Sequence, residues 1–333
     1  MKIKFTCILV FLFTVSAFCK KSDFFLSIEN FTGFRNGEAI EILLEEDGNS
    51  YTKKSELVWI HDKTFYIGAK TAFGWKWLDT DIYAAFFIPK ASGKMFDSDW
   101  IGLDDVKTTF SVNENSISAG SFFAGGNIGI TLPLFTYFTL SPKFSFEYEY
   151  IVFEAKNGYG WYGHPPYSKT GKSVPWYSPD ATYLQSGKLY GIGYDRWTTF
   201  TWLGLYAFFT PVPQLEFGIG TLISPYIYVD SVDHHKNSGK GSYYYDRMRG
   251  AFHAGKLDLS IKLNVNKIFG IKTFLTLTKV LQLEGDTFFN TEGKHSKYYI
   301  LDGYRSASSA KYTDFGISFS YTPLQRIRPN IIR

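Results

Sequence analysis

Two short acidic stretches carry the residues best suited to chemistry: Met95-Phe96-Asp97-Ser98-Asp99-Trp100 and, far downstream, Asp233-His234-His235. Asp97 and Asp99 are two residues apart, so in an extended chain they share a face with Cα atoms roughly 6–7 Å apart. Two carboxylates that close resist full ionisation. One pKa rises, and the pair can hold a proton or orient a water near neutral pH. Asp233 and His235 repeat the spacing, which lets the carboxylate accept a hydrogen bond from one ring nitrogen while the other faces a substrate. A carboxylate couple and an oriented imidazole together are what water activation needs. His234 lies between the two and faces the other way in extended geometry; a backbone bulge would present it instead. Three other readings compete. The Asp pair also suits a solvated turn or a calcium-binding loop. A zinc site could use both histidines and Asp233, although adjacent histidines rarely converge on one metal and no third neutral ligand is near in sequence; no metal is expected. The glycine-rich run Gly120 to Gly126 lacks the helix that a phosphate cradle needs. His61, His164, His253 and His295 stand alone and read as surface or rim polarity.

The first residues bear on where such chemistry could occur. Lys2 and Lys4 precede an apolar run from Ile8 to Val15, small residues at Ser16 and Ala17, and Lys20-Lys21, the pattern of a secretory signal over residues 1–19. The run is too short to span a bilayer as a helix. Cys19 admits a lipoprotein reading, but Phe18 stands where a small residue is wanted. Cys7 and Cys19 are the two cysteines of the chain. Residues 20–333, expected to form a single domain, therefore contain neither a disulfide framework nor a thiolate metal site.

Phe, Tyr and Trp number 32, 24 and 8 in 333 residues, 19% of the chain, and no later segment approaches 18 uninterrupted apolar residues. Aromatic excess without an apolar helix suggests a membrane β-barrel, apolar toward lipid and aromatic at both rims. A secreted β-sandwich is the bland alternative. The formal charge of +4 is spread along the chain and gives no reason to expect nucleic acid. Alternation supports the barrel: Leu257, Leu259, Ile261, Leu263 and Val265 alternate with polar residues, and Phe315, Ile317, Phe319 and Tyr321 with Gly and Ser. Ten strands are expected, near 25–46, 51–77, 81–90, 116–132, 137–154, 190–209, 215–229, 250–265, 271–283 and 311–322. Short connections alternate with long ones at 91–115, 155–189, 230–249 and 284–310; only 47–50 breaks the size rule. Barrels keep tight turns at the periplasmic rim, so parity sends both acidic stretches to the extracellular end. The fold expected is all-β: a ten-stranded antiparallel transmembrane β-barrel with long extracellular loops.

Asn36-Gly37 followed by Glu41, Ser55 to Trp59, Asp97 to Trp100, Ile192-Gly193-Tyr194 with Leu203-Gly204-Leu205, and Asp233-His234-His235 occur in that order, and the chain resembles the omptins, ten-stranded outer-membrane endopeptidases of Gram-negative bacteria. The resemblance implies that Asp97 and Asp99 form the acidic couple, that Asp233 orients His235 as general base, and that water held between the pairs attacks the scissile carbonyl. It implies that Glu41 lines the pocket for a substrate Arg or Lys; Glu38, the fallback, has the opposite parity. Peptide or protein substrates and outer-membrane lipid are the expected partners, and no cofactor is expected. The chain departs from the family where a second pocket Asp would stand, at Ser231, although Asp230 could compensate if the chain bends. It departs again at Tyr148 and Tyr150, where omptins carry a Glu and an Arg that grip lipopolysaccharide; this argues against dependence on that lipid. It departs finally in a tail from Pro323 to Arg333 beyond the usual aromatic terminus. The competing functions are a catalytically silent omptin-fold barrel acting as an adhesin or binding surface and a small porin, the latter disfavoured because ten strands leave little lumen.

Overall fold

The computed structural model describes residues 24–48, 50–103, 105–185, 191–235 and 241–324; the expected signal sequence and nearly all of the C-terminal tail lie outside them. The strands are β1 (Phe24–Asp47), β2 (Ser50–Trp75), β3 (Leu78–Phe87), β4 (Lys90–Asp99), β5 (Thr109–Ile117), β6 (Phe122–Ile130), β7 (Leu132–Phe135), β8 (Phe138–Tyr162), β9 (Thr182–Leu184), β10 (Ile192–Val212), β11 (Leu215–His235), β12 (Ser242–Gly250), β13 (Ala254–Asn264), β14 (Phe269–Asn290) and β15 (Tyr299–Leu324). Consecutive pieces β3–β4, β5–β6 and β12–β13 each make one interrupted stave. With β1, β2, β8, β10, β11, β14 and β15 this gives ten antiparallel staves, and β1 pairs with both β2 and β15, so the sheet closes into a ring. The short β7 and β9 add to the ends of β8. This is the ten-stranded transmembrane barrel that the alternation implies.

Alternation places the membrane belt on the outer face. Ile67, Ile82, Phe144, Leu203, Ile219 and Ile261 are exposed large apolar side chains contributed by different staves, as a lipid-facing surface requires. Strands of 21 to 26 residues, such as β11 and β2, are about twice as long as a bilayer crossing needs, which is about 9–11 residues. The surplus rises above the belt as a closed cylinder. The segments expected as loops at 91–115, 230–249 and 284–310 are therefore largely strand, and Asp97 and Asp99 sit on β4 rather than in a loop. Their Ser, Gly and Lys content misleads because a strand paired on both sides and wet outside tolerates polar residues. Pro89 and the φ of +82° at Gly93 mark the irregular passage from β3 into β4.

Inside the belt the lumen is filled by paired charge. Arg35 donates Nε–H to Asp314 Oδ1 at 2.9 Å and also binds Glu149. Lys256 binds Glu147 at 2.8 Å, and Glu29 receives Lys70 at 3.1 Å and Lys272 at 2.6 Å. Above this lattice lies an apolar layer in which Trp59 stacks on Phe153 at 5.4 Å and on Tyr194 at 5.3 Å, with Met95 and Leu57 buried beside it. His61 is buried at this level against Phe153 and Tyr312, which corrects its reading as surface polarity: it shares the parity of Leu57 and Trp59, and that parity turns it into the lumen.

Arg35, Glu149 and Asp314 have side chains no more than 8% exposed, so removing the cation leaves buried charge uncompensated. Arg35→Met is expected to cost about 3–5 kcal/mol, measured as a lower urea midpoint in detergent micelles; an unchanged midpoint would contradict a structural role for the cluster.

Candidate active site

On β4, Met95, Asp97 and Asp99 face the lumen, while Phe96 turns outward and stacks on Phe110 of β5 at 6.3 Å. Strand pairing supplies the couple with hydroxyl neighbours. Asp97 lies opposite Leu57 and Ser111, and Asp99 opposite Ser55 and Thr109. Ser111 Oγ donates to Asp97 Oδ2 at 3.3 Å.

Across the lumen, β11 brings Asp233 and His235 together, with His235 Nε2 donating to Asp233 Oδ2 at 2.5 Å. Asp233 is nearly enclosed, whereas the His235 side chain is 36% exposed to the open upper lumen. His235 also meets the Tyr244 ring edge-on at 5.6 Å. His234 points to the other face and stacks on Tyr243 at 4.2 Å. The register of β11 runs unbroken through all three residues, so the bulge that would turn His234 inward is absent from this pairing and the two histidines cannot converge on one zinc. Glu41 faces inward and is 7% exposed; Glu38 faces outward, near Lys311.

These groups stand above the membrane: Asp233 comes ten residues after the lipid-facing Ile223 on the same strand. Burial on the apolar layer and the adjacent Asp99 carboxylate push Asp97 well above the usual carboxylate range. Burial also raises Asp99, less so because the Ser55 and Thr109 hydroxyls and His235 favour its charged form. Burial alone would depress His235, but Asp233, through its charge and hydrogen bond, together with Asp97 and Asp99, outweighs it and holds the imidazole at about 9. One imidazolium is thus balanced against several carboxyls.

Two residues beside these groups escape the spacing of the sequence motifs. Asp246 of β12 is 3% exposed and lies opposite Ser231 in the β11–β12 register. Burial and the Asp233 charge hold it at about 6, and Glu41 beside it is raised well above its ordinary value by burial, Asp233 and Asp246. Among the described residues, Glu41 Oε2, Asp233 Oδ1 and Asp246 Oδ1 find no hydrogen-bond partner although buried. The two-residue rule that finds Asp97 and Asp233 cannot find Asp246, because its neighbours in the site come from another strand. Asp230 does not take this place: alternation puts it on the outer face near Tyr228, Tyr245, Arg247 and Arg249. The other missed residue is His164, whose Nδ1 lies 2.9 Å from Thr109 Oγ1, so it is neither isolated nor simple rim polarity. A cavity of about 370 Å³ opens between the two walls, lined by Glu41, Asp99, Asp233, His235, Tyr244 and Asp246 among others.

An outer-membrane barrel whose cleft sets carboxylates against an imidazole above the membrane defines the class. The omptin family model matches residues 23–321, and the chain belongs to that family, one of outer-membrane proteases. No curated protein matches the sequence. Among solved structures, the outer membrane protease OmpT from Escherichia coli superposes with a TM-score of 0.72 at 14% identity, covering 89% of this chain and 97% of that one. The translocator domain of the autotransporter NalP from Neisseria meningitidis gives only 0.34 at 8% identity, over 96% and 95% of the two chains.

Because Asp233 supplies the leading stabilisation of the imidazolium, Asp233→Asn should lower the His235 pKa from about 9. Ring-carbon NMR of specifically labelled protein in micelles would read the shift; an unmoved titration would contradict the assigned coupling.

Proposed function

We propose that this barrel is an endopeptidase that hydrolyses peptides or proteins on the extracellular side by direct attack of an activated water. The observation that carries the reading is the hydrogen-bonded Asp233–His235 pair lining one cleft together with Asp99, whose neighbour Asp97 follows two residues away on the same face of β4. A water between the pairs gives a proton to His235 as its oxygen attacks the scissile carbonyl. Asp233 holds the ring in place and stabilises the imidazolium that forms. Asp97 and Asp99, sharing a proton, orient the water and can donate a hydrogen bond to the developing oxyanion. Collapse of the tetrahedral intermediate then takes the proton from His235 to the departing amine. No covalent enzyme intermediate is involved.

His235 must be neutral to accept that proton, and a base held at about 9 is mostly charged at neutral pH. Activity should therefore rise with pH toward that value, as kcat/KM over pH 5–10 would show. Asp233→Asn should move the rise to lower pH while reducing its plateau. A profile flat between pH 6 and 9 would remove His235 from the role of base.

The pocket acids Glu41 and Asp246 favour a cationic substrate side chain, Arg or Lys, whose arrival draws off the proton that the two carboxyls share. Glu41→Gln and Asp246→Asn should each raise KM for substrates with Arg or Lys before the scissile bond by about 10–100-fold, with little change for neutral residues there. Equal losses on basic and neutral peptides would rule out this pocket. The Tyr148 and Tyr150 rings, the latter stacked on Trp197 at 5.3 Å, present no charge to a lipid phosphate, which makes dependence on lipopolysaccharide doubtful.

A quenched fluorescent peptide library with single and paired Arg or Lys sites, with and without lipid A, tests the whole reading. Cleavage by the wild type should fall by at least about 100-fold in Asp97→Ala and His235→Ala. A folded wild-type barrel that cleaves nothing under either condition would instead favour an adhesin or binding surface.

A further inference from the structure

His164 is held against the couple by a built turn. Gly163 N donates to Thr108 O at 2.8 Å, and Val174 N donates to Gly163 O at 2.7 Å. A Cβ on Gly163 would lie 2.2 Å from Val174 O, so glycine allows the chain to pass this close. The His164 carbonyl accepts from the backbone N–H groups of Tyr167 at 2.8 Å and Ser168 at 3.0 Å, and its ring meets Tyr167 edge-on at 5.4 Å. Thr109, fully buried, stands between His164 and its register partner Asp99.

Register pairing sets Thr109 beside Asp99, and the proton count ties that neighbour to the contact with His164. A threonine hydroxyl has one proton. If Thr109 donates it to Asp99, His164 must donate Nδ1–H to Thr109 Oγ1, as the 2.9 Å separation permits. Asp99 then has hydroxyl neighbours on both flanks, Ser55 and Thr109, whereas Asp97 has Ser111 and the apolar Leu57.

We infer that His164 is a positioning residue which, through Thr109, keeps Asp99 the ionised member of the couple and leaves the shared proton on Asp97. The inference rests on the hydrolytic reading above for its consequence in catalysis, but not for its geometry. The titratable groups facing the chain are Asp97 and Asp99 on β4, Tyr162 at the end of β8, Tyr167 in the turn, and Asp233, His235 and Tyr244 across the cleft.

Thr109→Val removes the hydroxyl at nearly constant shape, Thr109→Ser retains it, and His164→Leu removes the outer donor. Carboxyl-carbon NMR titration of labelled Asp should show the Asp99 pKa rising by about one unit in Thr109→Val and His164→Leu, with Thr109→Ser like the wild type. This measurement needs no catalysis. In peptide assays the same two variants should lose about tenfold in kcat with KM within about twofold, and the double variant should be no worse than either alone. Wild-type carboxyl titrations in both variants, or additive losses without a titration shift, would overturn the inference. Inactivity of a folded wild type would count against the hydrolytic reading alone, because the titration would still decide the role of His164.

Discussion

Every backbone N–H and C=O within hydrocarbon must find a partner inside the protein, and for a sheet this is possible only if it closes. The β1–β15 pairing, which runs from Leu26 to Glu45, is that closure. Once the ring is shut, side chains alternate between lipid and lumen, and the inner positions of all ten staves meet in one small volume. The buried ion pairs around Arg35 and Glu29 follow from that crowding. Charged inner residues are tolerated where an opposite charge or a hydroxyl lies within reach across a narrow lumen.

The same closure continues above the membrane, where its consequence is chemical. Water can enter from the top, while Trp59, Phe153, Tyr194 and Met95 seal the floor. Carboxyls placed at this boundary lose part of their hydration and sit beside one another, so Asp97, Glu41 and Asp246 bind protons more strongly than in water. The opposite effect on His235 comes from the same assembly, since the carboxylates that repel one another attract a cation. The acidic cluster and the imidazolium stabilise each other, and neither has its properties alone.

How much of this is legible in the chain depends on whether the information lies along one strand or across two. Alternation in Leu257 to Leu263 and in Phe315 to Tyr321 is local, and with the succession of short and long connections along the chain it is enough to locate the barrel and its strand count. The spacing of Asp97 and Asp99, and of Asp233 and His235, is local as well, and Asp99, Asp233 and His235 line one cleft. Strand ends are less legible: polar segments such as Ser242 to Gly250 lack an apolar face, and their extended conformation comes from pairing with β11 and β14. His61 and His164 mislead for a related reason. Each acquires its surroundings from strands or turns remote in sequence, Tyr312 for the first and Thr109 for the second.

Asp246 shows what that distinction means for a site. A pocket requires a carboxylate at a place in space, and in an antiparallel sheet two residues from different strands share nearly the same place. Directly opposed side chains have Cβ atoms about 4.5–5.5 Å apart, within the reach of one carboxyl. Ser231 and Asp246 are such a pair, both inward and both buried. A serine at one position therefore does not imply that this part of the cleft holds one acid, since a second carboxyl can come from the facing strand. Inspection of the chain alone counts acids along β11 and finds a deficit. Counting across the β11–β12 register finds a further buried carboxyl at Asp246, so the electrostatics of the cleft are a property of paired positions rather than of a linear motif.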